Sequence, residues 1–257
     1  MSETRINKTF PIVSVIMPAY NCETYIEEAI RSVMGQTFGD WELIVLDDGS
    51  TDATCEIVHR MMAEDNRIIL QRNPENMGVA KTRNRGMAMS RGEYVALLDS
   101  DDIWYPDKLE KQLQKIHAEN ADLVYCSYAV VDSGGESCKR PYIVPEKVSF
   151  PSLLKENVIG CSTVMMSAAV ASAYRFASDF YHEDYCLWLS ILRDGYKAAG
   201  CTEVLADWRY ITGSRSFDKK NSAFKRWKIY REFLGFSVLR SSWLFLAYAA
   251  NGIKKYF

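Results

Sequence analysis

An acidic cluster follows one of the apolar runs of the sequence. The run Tyr94–Leu98 ends in Asp99, Asp101 and Asp102. Carboxylates this close repel one another unless a cation or hydrogen bonds compensate. Mg²⁺ and Mn²⁺ prefer oxygen ligands, and Mg²⁺ typically binds one or two carboxylates together with substrate phosphates. The cluster therefore indicates a metal-phosphate site, and the competing interpretation is a solvated turn with a helix cap.

A second apolar run, Glu42–Leu46, ends in a pair of acids followed by a turn. The side chain of Asp48 can accept a hydrogen bond from the N–H of a nucleoside base. Gly49 allows the backbone to turn tightly behind it. The polar residues 50–52 are all suited to cap the next helix, which is the structural interpretation of this segment.

Two further segments carry candidate functional side chains. Arg83 stands within a predicted helix and can pair with phosphate or base oxygens, although most single arginines are surface charges. Glu183 and Asp184 open another predicted helix, where the helix dipole favours acids in any case. A carboxylate here is also a candidate general base.

Alternating strands and helices must position these residues. In the first half the predicted strands are Ile12–Met17, Glu42–Leu46, Arg67–Leu70 and Tyr94–Leu98, and the predicted helices are Thr24–Met34, Asp52–Ala63 and Val79–Ser90. Thr24 and Glu27 fit a capping box. This alternation predicts a parallel sheet whose ligands bind beyond the carboxyl ends of the strands.

The second half is less regular. The predicted elements are helix Pro106–Glu119, strand Leu123–Val131, loop Asp132–Val148, strand Cys161–Met166, helix Asp184–Leu192, strand Lys197–Leu205 and helical structure from Phe217 onward. A length of 257 residues fits one large α/β domain with a modest tail.

Charge is distributed unevenly along the chain. Residues 209–257 hold eleven Lys/Arg and two Asp/Glu. Residues 1–208 hold twenty Lys/Arg and thirty-one Asp/Glu. A basic tail on an acidic body indicates an anionic partner surface. We expect a membrane surface and no nucleic acid, because no nucleic-acid recognition motif is present.

The compartment is predicted from the cysteines and the apolar runs. The seven cysteines form no C-x-x-C pair, which favours free thiols in a reducing compartment and disfavours zinc. Residues 1–10 are polar, and the longest apolar run, Trp243–Ala250, is too short to span a bilayer. We therefore expect a cytoplasmic protein, peripheral at most on the inner face of the plasma membrane.

The tail combines basic and aromatic residues at helical spacing, namely Phe224, Trp227, Tyr230, Phe233 and Leu234. Such a helix fits a membrane interface near a lipid-linked acceptor. Packing against the catalytic domain explains the same pattern equally well, and the sequence leaves both alternatives open.

The order and spacing of the motifs are more specific than any one of them. They are Val13–Asn21, Asp47–Asp52, Asn76-x-Gly78 through Arg83-Asn84, Leu98–Asp102 and Glu183-Asp184. Over roughly residues 12–210 this order closely resembles the family 2 inverting glycosyltransferases of the GT-A fold. The tail, with Gly213–Ser216 and Asn251–Lys255, is similar to that of bacterial teichuronic-acid, capsule and O-antigen transferases.

The resemblance implies an α/β, Rossmann-like GT-A fold: a mostly parallel central sheet flanked by helices, with a basic helical tail. The implied organisation is an N-terminal extension (1–11), a catalytic domain (12–210) and a basic aromatic tail (211–257). Within the catalytic domain, 12–102 forms the nucleotide-binding half and 103–210 the acceptor-binding half.

The resemblance also implies roles for individual residues. Ala19 and Tyr20 line the nucleoside pocket, Asp48 reads the uracil and Arg83 lies in the nucleotide site. Asp99-Ser100-Asp101 matches the D-x-D motif, with Asp99 near the ribose and Asp101 on a Mn²⁺ or Mg²⁺ ion that bridges the diphosphate. Asp184 matches the catalytic base, and Glu183, Trp104 and Trp188 are expected on the acceptor side.

The expected reaction transfers a hexose or N-acetylhexosamine from a UDP-sugar to a glycan acceptor, and the acceptor is expected on polyprenyl diphosphate. One carboxylate base and a metal-stabilised leaving group suffice for a single, inverting displacement, whereas retention would need a carboxylate nucleophile. A sugar nucleotidyltransferase would carry a Gly-rich loop after the first strand, and Pro18–Cys22 contains no glycine. An inactive binding module would be expected to lack Asp101 or Asp184.

Overall fold

The computed structural model of the chain describes residues 10–211 and 219–254. Most of the predicted N-terminal extension and the segment Gly213–Ser216 lie outside the described residues.

The first half of the domain is a run of strand-helix units, as predicted. The strands are β1 (Val13–Ala19), β2 (Trp41–Asp47), β3 (Ile68–Arg72) and β4 (Tyr94–Leu97), and the intervening helices are α1 (Ile26–Met34), α2 (Thr54–Glu64) and α3 (Val79–Met89). All pairs among these strands are parallel, in the order β3-β2-β1-β4. Every residue of β1 and β2 is buried, because helices cover both faces of the sheet.

The predicted capping box of α1 was wrong. The helix begins at Ile26 with Tyr25 as its N-cap, and no side chain bonds to its first turn. Glu27 instead accepts hydrogen bonds from Arg31 at 2.9 Å and from Arg60 at 2.5 Å. The carboxylate is therefore engaged by two guanidinium groups on the surface and does not reach back to the start of the helix.

The second half extends the same sheet. Its elements are β5 (Ile103–Trp104), α4 (Lys108–Glu119), β6 (Leu123–Val131), β7 (Ser137–Tyr142), β8 (Lys147–Val148), α5 (Phe150–Leu153), a 3-10 turn (Cys161–Thr163), β9 (Met165–Ser167), α6 (Ala168–Ala173), α7 (Glu183–Arg193) and β10 (Ala198–Arg209). The full strand order is β3-β2-β1-β4-β9-β6-β10-β5, with β7 on β6 and β8 on β10. The longest ladders are parallel and the antiparallel pairings are short, so the sheet is mostly parallel.

Two predictions in this half needed correction. The segment 132–148 is not a loop throughout, because it contains β7 and β8. Strand β7 pairs only with β6 and is largely exposed, so it shows no alternation of buried and polar residues. The strand predicted over Cys161–Met166 begins at Met165, since the preceding residues form the 3-10 turn.

One apolar core lies on each face of the sheet. Helices α1, α2 and α4 cover one face. Helices α3, α5, α6 and α7 cover the other, together with residues from the C-terminal segment. The same sheet runs through both halves of the domain, and the proposed division into a nucleotide half and an acceptor half stays a prediction.

The C-terminal segment is helical, as predicted. It consists of α8 (Lys219–Lys228), a π-helical turn (Ile229–Phe233) and α9 (Val238–Lys254). Tyr230 is fully buried, and its hydroxyl donates to the carbonyl of Leu154 at 2.5 Å. The segment therefore packs on the catalytic domain.

The aromatic face predicted for membrane contact is mostly used in this packing. Tyr230, Phe233 and Leu234 belong to or pack against the core, and Trp227 stacks edge-on against Phe245 with ring centroids 6.1 Å apart. Only Phe224 of the five is exposed. Among the described residues, the helices all fall short of the length and apolar character that crossing a bilayer requires. The seven cysteines are unpaired thiols.

Candidate active site

A cavity of about 720 Å³ opens at the carboxyl ends of β1, β2 and β4. The residues predicted for the donor site and the base all line it, namely Ala19, Tyr20, Asp48, Arg83, Asp99, Ser100, Asp101 and Asp184, and so does Glu183, which was predicted on the acceptor side. Parallel strands bring their carboxyl ends to one edge of the sheet, so motifs that are distant in sequence converge there.

Asp48 organises the loop between β3 and α3. Its two carboxylate oxygens accept hydrogen bonds from the side chain of Asn73 at 2.7 Å and from the backbone amides of Met77 and Gly78, both at 2.9 Å. Gly49 follows with φ of +82°, and a Cβ there would lie 3.1 Å from the backbone nitrogen of Asn76. The turn therefore requires glycine, as the sequence indicated.

The loops after β1 and β2 are bonded to each other. The side-chain oxygen of Asn21 accepts the backbone amide of Thr51 at 2.8 Å, and the hydroxyl of Ser50 accepts the amide of Asn21 at 2.9 Å. Only Asp52 of the three suggested cap residues bonds to the first turn of α2, through the amide of Thr54 at 3.1 Å. These bonds fix the wall formed by Ala19 and the half-exposed Tyr20.

The acidic cluster after β4 carries more negative charge than its surroundings neutralise. Burial, with the charge of Asp99 beside it, raises the pKa of Asp101 to about 6. Asp102 is a buried residue of the cavity lining, and it accepts hydrogen bonds from the Ser162 hydroxyl and from the backbone amide of Arg209, the latter at 2.8 Å. Burial and the neighbouring Asp101 also raise the pKa of Asp102.

These carboxylates fit a divalent cation. Asp99 and Asp101 are oxygen ligands beside open cavity space, and their mutual repulsion is the kind that a cation relieves. In residues 10–211 and 219–254, no three His, Cys, Asp or Glu side chains come together as a metal cage. An ion at this cluster would therefore need further oxygens from a bound ligand, as Mg²⁺ commonly takes from phosphates.

Arg209 holds the acidic loop from the end of β10. The guanidinium is buried, and its Nε donates to the backbone carbonyl of Asp101 at 2.9 Å while Nη2 donates to Glu28 at 2.6 Å. Its own backbone amide bonds Asp102. One residue thereby ties the carboxylate cluster to both β10 and α1.

Arg83 bridges the two halves of the domain. Its buried guanidinium donates to Asp99 at 2.5 Å and to Glu183 at 2.8 Å. Removing one partner from such a buried group typically costs about 3–5 kcal/mol. Glu183, predicted on the acceptor side, lies at the cavity wall and is held by this contact.

Asp184 lies in the first turn of α7 and lines the cavity. Burial and the adjacent charge of Glu183 raise its pKa to about 6. Its Oδ1 accepts the backbone amide of Tyr185 at 2.7 Å, which fixes the side chain. An oriented carboxylate that is ionised at neutral pH and more basic than an ordinary Asp is suited to general-base catalysis.

The two predicted tryptophans do not reach the cavity. Trp104 is buried in β5, and its indole N–H donates to the carbonyl of Ser162 at 2.7 Å. Trp188 is fully buried and packs edge-on against Phe176, with ring centroids 6.3 Å apart. Neither ring lines the cavity. The part expected of both tryptophans on the acceptor side stays a prediction. Large apolar area explains their burial.

Much of the second wall of the cavity was not predicted from the sequence. It is formed by residues 157–163, Tyr181, His182 and the end of β10 at 206–209. These positions carry no acidic cluster or glycine motif that would have marked them. The burial of Arg209 becomes visible only when β10 pairs with β6 beyond its predicted end at Leu205.

The fold and the site together define an α/β enzyme whose cavity has a carboxylate cluster on one wall and the carboxylate of Asp184 on another. Residues 14–181 match the sequence pattern of the family described as glycosyl transferase family 2. The chain belongs to this family, and it is a glycosyltransferase.

Curated relatives match almost the whole chain. TuaG of Bacillus subtilis (strain 168), whose name assigns it to teichuronic acid biosynthesis, is 37% identical over 95% of this chain and 97% of its own length. The UDP-Glc:alpha-D-GlcNAc-diphosphoundecaprenol beta-1,3-glucosyltransferase WfgD of Escherichia coli is 36% identical over 95% of both chains.

A solved structure supports the fold. TarS of S. aureus (residues 1–349) in complex with UDP-GlcNAc has a TM-score of 0.72 at 20% identity, covering 92% of this chain and 71% of that one. At this identity the likeness concerns the GT-A fold alone, and it agrees with the predicted α/β architecture.

Proposed function

We propose that this glycosyltransferase moves a hexose or N-acetylhexosamine from a UDP-sugar to a glycan carried on polyprenyl diphosphate, with inversion at the anomeric carbon. The observation that carries the proposal is the convergence in one cavity of the D-x-D carboxylates Asp99 and Asp101 with the basic carboxylate Asp184. A donor bound at the first two would place its sugar within the same cavity as the third.

The relatives support the donor and the acceptor class. The names of WfgD and of a second Escherichia coli relative, WfaP, both specify UDP-Glc and a diphosphoundecaprenol-linked acceptor. The chain covers 95% of each. With TuaG, these names support a role in bacterial surface polysaccharide synthesis.

The acceptor hydroxyl needs a base because its pKa lies far above 7. Asp184, with a pKa of about 6, is mostly ionised at neutral pH and accepts the hydroxyl proton as the oxygen attacks the anomeric carbon. Its fixed contact with the amide of Tyr185 keeps one oxygen engaged and leaves the other for the acceptor.

Asp101 and Asp99 would hold Mn²⁺ or Mg²⁺, which would neutralise charge on the departing diphosphate when bound. In this assignment Asp48 and Tyr20 hold the nucleoside. Arg83 maintains the position of Asp99 through its 2.5 Å contact.

The hydrogen bonds already made by other carboxylates of the cavity support inversion. A retaining double displacement needs a free carboxylate nucleophile at the anomeric carbon. Glu183 is bound by Arg83, and Asp48 accepts three hydrogen bonds from the loop before α3. Asp184 is then left as a base for a single displacement.

The place of action follows from the acceptor. A polyprenyl-linked glycan lies at a membrane surface, so we propose that the enzyme works in the cytoplasm against the inner face of the plasma membrane. The nucleotide half (12–102) would bind the donor and the other half (103–210) the acceptor.

The test is a transfer assay with a panel of UDP-sugars and a synthetic lipid-diphosphate GlcNAc acceptor. We expect one UDP-sugar to give product. NMR of that product should show that the anomeric configuration is inverted relative to the donor. Asp184→Asn should abolish transfer, whereas Asp40→Asn, at an exposed site before β2, should not. UDP binding without transfer of any sugar would favour the inactive-module alternative.

A further inference from the structure

The last helix has two apolar faces, and within residues 10–211 and 219–254 only one of them is used in packing. On the inner face Ser241 and Leu244 are buried, and Phe245 packs against the core. On the outer face Leu239 is 84% exposed, Trp243 59% and Leu246 69%. Residues spaced by four and three positions lie on one side of a helix, so these three form a continuous stripe. We call it the α9 stripe.

The stripe is unusual for this protein. Among the described residues nine large apolar side chains are exposed, and four of them are on α9, since Val238 at 55% adjoins the stripe. Isolated exposed apolar residues are common on soluble proteins and need no explanation. Several adjacent ones on one helix face indicate an interaction surface.

The charges around the stripe are positive. The ammonium group of Lys155 lies 5.4 Å from the centre of the Trp243 ring, and Arg240 follows Leu239 directly. Residues 233–257 include no Asp or Glu. Lys and Arg beside an apolar helix face, with a Trp among the apolar residues, are the composition of helices that lie in the interface of an anionic membrane.

The stripe is also firmly connected to the active site. Arg226 of α8 stacks on Tyr185 at 3.9 Å and on Tyr248 of α9 at 4.6 Å. The ammonium group of Lys225 lies 3.1 Å from the ring centre of Tyr181, which lines the cavity. A surface that holds α9 would therefore also fix the orientation of the cavity.

We propose that the α9 stripe, flanked by Lys155 and Arg240, docks the enzyme on the surface of an anionic lipid bilayer. The proposal deepens the proposed function and rests on its lipid-linked acceptor. The apolar side chains enter the boundary between head groups and acyl chains, and the cations contact lipid phosphates. The enzyme stays on one leaflet, with its cavity at the surface where the acceptor's diphosphate emerges.

The experiment uses the full chain with vesicles of phosphatidylcholine alone or mixed with phosphatidylglycerol. We expect co-sedimentation with the anionic vesicles, weakened by high salt. The double variant Leu239→Ser/Leu246→Ser should bind about tenfold more weakly, because two inserted side chains are lost. The matched control is Ile143→Ser, which changes a similarly exposed apolar residue on another part of the surface.

A spectroscopic readout identifies the inserted residue. Lipids brominated near the head group should quench the fluorescence of wild-type protein, and Trp243→Phe should remove most of that quenching while vesicle binding persists. Both stripe variants should bind UDP and glycosylate a short soluble acceptor as wild type does. If wild type neither binds UDP nor glycosylates the acceptor, the proposed function is wrong. The vesicle binding and quenching results would still test the docking proposal on their own.

Three outcomes would overturn the docking proposal. The first is equal vesicle binding by wild type and the double variant, and the second is quenching unchanged by Trp243→Phe. The third is a wild-type dimer in solution that the double variant converts to monomer, because the stripe would then be covered by a second copy of the chain.

Discussion

The rate of transfer should fall on the acid side of pH 6, because the base must be ionised. Burial and the charge of Glu183 place the pKa of Asp184 at about 6. The active form is the carboxylate, so activity is full above this pKa and is lost as pH falls through it. With the metal saturating, so that Asp101 stays ionised, about half of the plateau kcat/KM should remain at pH 6 and roughly one tenth at pH 5. An ordinary Asp, with a pKa of about 3.9, would still be roughly nine-tenths ionised at pH 5, so its plateau would extend to about that pH.

Replacing Glu183 with Gln should move this acid limb to lower pH. The substitution removes the like charge beside Asp184 and so lowers the pKa of Asp184 toward its ordinary value. A Gln carbonyl can still accept the hydrogen bond that Arg83 donates at 2.8 Å, and Arg83 keeps its pair with Asp99. The variant should therefore still fold, with a free energy of unfolding about 1–3 kcal/mol lower than that of wild type.

The assay measures kcat/KM for a soluble acceptor from pH 5 to pH 8 at constant ionic strength. Glu203→Gln removes a charge of the same type at an exposed site and serves as the control. Its acid limb should coincide with that of wild type. A Glu183→Gln limb that stays in place would refute the assignment of Asp184 as the group whose ionisation controls the rate.

Other substitutions test separate parts of the site. Asp184→Asn should lower kcat by about 10²–10⁴-fold with UDP affinity unchanged in calorimetry; a parallel loss of affinity would indicate a structural role. Gly49→Ala should lower the free energy of unfolding by about 1–3 kcal/mol in urea titration and weaken UDP binding, because the new Cβ meets the backbone of the next loop. Gly195→Ala has a similar φ of +93° with open space around it, so it should cost stability without changing UDP affinity. Arg209→Lys should raise the KM for the donor, because a lysine cannot replace both the contact to Asp101 and the one to Glu28; an unchanged KM would mean that the acidic loop keeps its place without Arg209.

The first half of the domain was predictable because its determinants are local. Each strand from β1 to β4 is a short apolar run, and parallel pairing alone brings Asp48 and Asp99 to the same edge. The helix that carries Glu183 and Asp184 was also predicted, from the apolar face of its own sequence. Its position in the cavity, however, depends on a long-range contact, since Arg83 bonds Glu183 from 100 positions away.

The remaining features depend on contacts between distant parts of the chain. Strand β7 exists because its backbone pairs with β6, and its exposed side chains carry no signal. Ser162 and Arg209 support Asp102 from 60 and 107 positions away. The burial of Trp104 and Trp188 depends on the same tertiary packing, so the sequence could not separate core aromatics from cavity aromatics.

The calorimetric titration of the protein with UDP, with and without Mn²⁺, tests the central claim most directly. We predict saturable binding that strengthens markedly with Mn²⁺ in wild type, and an Asp101→Asn variant in which the metal no longer has this effect. GDP in place of UDP should give weaker binding. Absence of UDP binding in both conditions, or binding indifferent to both the metal and Asp101, would contradict the assignment of this cavity as a metal-dependent UDP-sugar site.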